Sequence, residues 1–78
     1  MQEEKNMYGE DRVYKKVEII GTSKKSIEDA IQTAVTRANS SLEKLSWFEV
    51  GEVRGHVNEE GIVNEYQVVL KVAFQLKK

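Results

Sequence analysis

The clearest pattern in the chain lies towards its C-terminal end. From Val63 to Leu76, the residues Tyr66, Val68, Leu70, Val72, Phe74 and Leu76 alternate without a break with Glu65, Gln67, Val69, Lys71, Ala73 and Gln75. Side chains two apart share one face of a strand, so the alternation predicts a β-strand with one apolar face. The run exceeds the usual strand of about five or six residues, so one end is expected to pair outside its own subunit. A second stretch, Arg12 to Ile20, places Val13, Val17 and Ile19 on one parity and Tyr14, Lys16, Glu18 and Ile20 on the other. Its β-branched residues predict another strand, with Gly21 as its end.

Between these stretches the period changes. Ile27, Ala30, Ile31, Ala34, Val35, Ala38, Leu42 and Leu45 recur at helical spacing, with Glu28, Gln32, Thr36, Arg37, Asn39, Glu43 and Lys44 on the other side. One amphipathic helix of about 20 residues is predicted. Ser23 and Ser26 are both candidates for its N-cap, Ser26 with Asp29 three residues on. Ala30, Ala34 and Ala38 suit close approach to a sheet.

The segment from Trp47 to Val57 is a strand with a flaw. Phe48 and Val50 share one parity, whereas Val53 and Val57 share the other. One extra residue flips every later side chain, so a β-bulge is predicted at Gly51-Glu52. Asn58 to Gly61 reads as a turn, with Gly61 placed for positive φ. The order is therefore β-α-β-β, an α+β fold in which a three-stranded antiparallel sheet wraps one amphipathic helix. Residues 1–11 show no sustained period and read as a flexible tail, and 12–78 as a single domain.

Composition narrows the function. The 78 residues carry 12 Lys and Arg against 13 Asp and Glu, a net charge of -1. Nucleic-acid affinity comes mainly from excess Lys and Arg, so an electrostatic nucleic-acid binder is disfavoured, an RNA-binding βαββ domain included. Without cysteine, no disulfide, thiolate metal site or thiol nucleophile is possible. His56 alone cannot build a multi-histidine metal site. No apolar run approaches a membrane span and no secretory signal opens the chain, so a soluble, cytoplasmic protein with no membrane partner is expected. A domain this short, without staples, is expected to self-associate.

No P-loop, dinucleotide fingerprint, nucleophile elbow or metal-ligand spacing occurs, so no catalytic residue and no metal ligand is assigned. Glu59-Glu60, Lys15-Lys16 and Lys24-Lys25 read as solvated surface, and His56 as a surface or interface imidazole without catalysis. Trp47 is more informative. It is the sole tryptophan and adjoins Phe48, so the two must point to opposite faces. If Phe48 packs under the helix with Val50, Trp47 points outward, where a large ring calls for a subunit or a flat ligand. Gln67 lies on the sheet face opposite Tyr66 and Val68, and its amide can read the edge of a heterocycle. After the bulge, Glu52, Arg54 and His56 join Trp47 on the outer face.

The chain from about Val13 to Leu76 resembles the dodecin family of small flavin-binding proteins. The matching stretches are VYKKVEIIGTS at 13–23, AIQ at 30–32, WFEV at 47–50, VRGH at 53–56 and EYQVVLKVAF at 65–74. The resemblance implies a hollow homododecamer that stores, buffers or photoprotectively quenches flavin without turnover. FMN or riboflavin would bind between subunits as stacked pairs between symmetry-related tryptophans. Carried over by position, Trp47 is the stacking residue and Gln67 the hydrogen-bonding partner of the ring edge. Arg54 lies near the FMN phosphate, and Glu52 near the ribityl chain. Gln75 stands where other members carry Arg beside the flavin. Coenzyme A is a further ligand that relatives suggest. The alternative from the residues alone is a structural or interaction βαββ oligomer that binds no flavin.

Overall fold

The central strand turns Val68, Leu70 and Val72 to one face, and this decides where the helix packs. A computed structural model describes residues 11–77. It contains strand β1 (Tyr14–Ser23), helix α1 (Ile27–Ser41), strand β2 (Trp47–Val57) and strand β3 (Val63–Gln75). The sheet order is β1-β3-β2, and both pairings are antiparallel. The tail predicted at the N-terminus falls, from residue 1 to 10, outside the described residues.

β3 lies between the other two strands. Its partners on β1 run from Tyr14 opposite Gln75 to Ser23 opposite Tyr66. β2 holds its other edge from Trp47 opposite Ala73 to Val57 opposite Val63. Each end of β3 is paired on one side only: among the described residues 63–65 have no partner on β1, and Phe74 and Gln75 none on β2, so the two neighbours are offset along it and each end keeps one open edge.

On the inner face Val68, Leu70 and Val72 are wholly buried. They meet Ala30, Ala34 and Ala38 of α1, with Val17, Ile19, Ile31, Val35 and Leu45 packed around them. Gly21 does not end β1. It lies inside the strand, where a Cβ would stand 2.2 Å from the Ala30 carbonyl oxygen and 2.8 Å from the Ala34 Cβ. Glycine here marks close approach of helix to strand.

Ser26 is the N-cap, and its hydroxyl accepts the Asp29 amide hydrogen at 3.0 Å. Ser23, the other candidate, instead donates to the Asp29 carboxylate at 2.7 Å and accepts from the Lys25 amide at 2.9 Å. α1 is shorter than its apolar period suggests. Leu42 closes it by donating its backbone N–H to the Ala38 carbonyl oxygen, and the Asn39 side-chain oxygen then accepts the Leu45 N–H at 2.9 Å. Leu45 still reaches the core, but from a loop.

The bulge between Val50 and Val53 is present, and a second irregularity follows between His56 and Val57. There β3 advances by two residues for one of β2. Gly61 takes φ 81° in the connecting turn.

α1 packs on β1 and β3. It does not cover Phe48 and Val50, contrary to expectation. Phe48 is 47% exposed and Val50 46%, and Val53 and Val57 are similarly open. Gly21 and the three alanines seat the helix towards β1, so the apolar side of β2 overhangs it.

Candidate functional site

Register places the outward side chains in rows across the sheet. Lys16, Ala73 and Trp47 form one row; Glu18, Lys71 and Glu49 the next; Thr22, Gln67 and Arg54 lie further along. All the residues proposed from sequence occupy this face, which no element among the described residues covers.

The Trp47 end is an aromatic and charged cluster. β1 and β2 flank β3 on either side, and Ala73 contributes only a methyl group between them. The Tyr14 and Trp47 rings close over that gap, with centroids 4.8 Å apart and planes at 54°, and Ala73 is fully buried. The Arg12 guanidinium stands 5.6 Å from the Tyr14 ring centroid, within range of a cation–π contact. The indole N–H of Trp47 donates to Glu49 Oε2 at 2.9 Å. Lys16 Nζ donates to both Glu49 oxygens, at 3.1 and 3.2 Å. The indole hydrogen bond, followed by that from Lys16, holds the Glu49 carboxyl below its ordinary value of 4.5. Trp47 nonetheless remains 42% exposed, so ring surface is left for a further contact.

The second cluster is polar. Arg54 Nε donates to Gln67 Oε1 at 2.9 Å, and Arg54 Nη1 to Glu52 Oε1 at 2.8 Å. Gln67 Nε2 donates to Glu65 Oε1 at 2.9 Å. His56 Nδ1 lies 2.7 Å from the Asn64 side-chain oxygen, beside the second irregularity. Glu52, Arg54 and Gln67 are therefore brought together. Arg54 is held by two acceptors, yet its guanidinium has further N–H groups to offer an anion.

Trp47 does not join them. It faces Ala73, six residues along β3 from Gln67, or about 20 Å between backbones. In one chain the ring plane and the edge reader are separate features of the same face. Sequence reasoning missed Tyr14, Lys16, Glu49 and Arg12. Parity alone puts Tyr14, Lys16 and Glu49 on the outer face, but only the register of β1 and β2 on β3 brings them to Trp47.

Among the described residues no three His, Asp or Glu side chains gather as metal ligands, and no helix is long and apolar enough to cross a membrane. A groove between β1 and α1, bordered by Ile20, Thr22, Arg37 and Leu42, adds to the uncovered apolar surface.

The dodecin family model matches residues 13–77. A Thermus thermophilus dodecin is 55% identical over 67 residues, covering 86% of this chain and 96% of the relative. A Mycobacterium tuberculosis protein named calcium dodecin is 37% identical over 65 residues, covering 83% and 90%. Among solved structures, a Thermus thermophilus crystal structure superimposes with TM-score 0.79 at 54% identity, covering 87% of this chain and 98% of that one. The Streptomyces davaonensis dodecin gives 0.82 at 39% identity, covering 88% and 100%.

Proposed function

This chain belongs to the dodecin family, and on that premise we propose that it is a flavin-binding storage and buffering protein rather than an enzyme. FMN or riboflavin binds as stacked pairs between subunits of a homododecamer, and the stack quenches the excited flavin. The observation that carries the reading is Trp47: a large ring on an open sheet face, fixed on one side by Tyr14 and at its N–H by Glu49, with 42% of its surface free. Such a surface suits a second flat ring, because offset stacking adds about 0.5–1.5 kcal/mol to the gain from area burial.

The separation of Trp47 from Gln67 supports an assembled site. A flavin stacked on the tryptophan of one subunit takes its edge contacts from the Gln67 of another. The overhanging residues Phe48, Val50 and Val53 support the same view, since a strip of exposed apolar side chains favours burial against further copies. Arg54, held by Glu52 and Gln67, is the cation for the FMN phosphate, and Glu52 lies where it can meet the ribityl hydroxyls. A phosphate must compete with Glu52 for Arg54, and Gln75 brings no second cation, so FMN is preferred to riboflavin only modestly. Coenzyme A, a phosphate-rich ligand, would draw on the same arginine. The assembly works in the cytoplasm.

A fluorescence titration tests this. Flavin emission should be quenched on addition of the protein, and Trp47→Ala should weaken binding by about tenfold or more, since about 1.4 kcal/mol corresponds to tenfold. Arg54→Ala should remove the preference for FMN while riboflavin affinity stays near that of the wild type. Absence of quenching with either flavin refutes the reading and leaves a structural oligomer in its place.

A further inference from the structure

The Trp47 end of the sheet is built more elaborately than an exposed ring needs. Its indole donates to Glu49 at 2.9 Å, and Glu49 is in turn gripped through both oxygens by Lys16 of β1. The three groups span β1 and β2, and the carboxylate cannot rotate towards solvent without giving up three hydrogen bonds. Tyr14 blocks the ring from the β1 side. An indole on a strand has two soft torsions, and a freely turning ring must lose that freedom when a ligand stacks on it. A ring already fixed does not.

We propose that Glu49, anchored by Lys16, is a positioning residue that holds the Trp47 indole in its stacking orientation before flavin arrives. This rests on the reading of Trp47 as the flavin-stacking residue. Glu49 acts through Trp47 and need not touch the flavin. The charged groups facing it are Lys16 on β1 and Lys71 on β3, with Glu18 beyond Lys71 in the same row. The indole and Lys16 both favour the carboxylate form, so the clamp is intact at neutral pH.

Trp47 is the sole tryptophan, so any indole signal belongs to it. The hydrogen-bond-sensitive indole band in the ultraviolet Raman spectrum of flavin-free protein reads the clamp directly, and flavin titration reads its consequence. Glu49→Ala should move the band to the unbonded position and raise the flavin Kd by about tenfold. Glu49→Gln keeps an acceptor and should restore most of both. Lys16→Met leaves the carboxylate but frees it to turn, and should fall between. Glu18→Gln removes the same charge at the far end of the Glu49 row without touching the ring and should change neither.

A shifted band in Glu49→Ala with unchanged flavin affinity, while Trp47→Ala still loses binding, overturns the positioning role and leaves the stacking role standing. Loss of affinity in Glu18→Gln equal to that in Glu49→Ala also overturns it, because bulk charge would then suffice. If Trp47→Ala itself binds flavin normally, the stacking reading fails and the proposal with it. Should Glu49→Ala fail to assemble by light scattering, Lys16→Met decides, and wild-type affinity there overturns the proposal.

Discussion

Replacing Gly21 by alanine tests how the helix is seated, and through it why one strand is left uncovered. The new methyl would stand 2.2 Å from the Ala30 carbonyl oxygen and 2.8 Å from the Ala34 Cβ, where ordinary contact begins near 3.4 Å. Neither neighbour is the end of a side chain that can swing away. The helix must retreat by about an ångström, which loosens Ala30, Ala34 and Ala38 from Val68, Leu70 and Val72; a gap of that order forfeits about half of a contact's attraction. Overpacking costs about 1–3 kcal/mol, and a backbone clash belongs at the upper end. For a domain of this size about 3 kcal/mol lowers the melting temperature by on the order of 10–20 °C. The assay is thermal melting by circular dichroism at one fixed chain concentration, since assembly makes the midpoint concentration-dependent. Gly51→Ala is the control: its methyl would meet only the Val69 carbonyl oxygen, at 3.3 Å. Equal melting of Gly21→Ala and Gly51→Ala would refute the close seating of α1 on β1.

Further expectations concern assembly and pH. Val53→Glu, on the overhang of β2, should leave the helix and sheet signal of the chain intact while lowering the mass by light scattering, because an isolated chain leaves Val53 45% exposed and only a neighbour buries it; an unchanged mass would show that this strip is not an interface. Glu49 has a lowered folded-state pKa, so its stabilising contribution is present above its ordinary 4.5 and is lost as the pH falls through the lower folded value. The difference in melting temperature between wild type and Glu49→Gln should accordingly be level above pH 4.5, shrink below it, and diminish in salt, as exposed ion pairs do. A difference that grows on acidification contradicts that account.

Much of this arrangement can be read from the residues, and what escapes has definite causes. Parity carries face assignments well: the switch from Phe48 and Val50 to Val53 reveals the bulge, and places Arg54 on the side of Gln67. The second irregularity at His56 leaves no such trace, because the flanking polar residues do not mark a face. Gly21 misleads as a strand end because glycine has two uses, and only the alanines of a helix not yet placed tell them apart. The end of α1 is hidden because Leu42 and Leu45 keep the apolar period, while an Asn39 side chain captures the Leu45 amide outside the helix. The site is half legible for a related reason. Trp47 and Gln67 share a parity, but their separation follows from strand register, which a list of residues does not contain. The Lys16–Glu49–Trp47 contacts depend on the same register across all three strands.

The central claim is that flavin is held between subunits, and native mass spectrometry of flavin-loaded protein tests it most directly because it counts chains and ligands in one particle. The account predicts a dodecamer of 8.9 kDa chains carrying flavin in even numbers, up to one per chain, with Trp47→Ala giving the same assembly without ligand. Flavin bound to single chains, or to the Trp47→Ala assembly as fully as to the wild type, would contradict it.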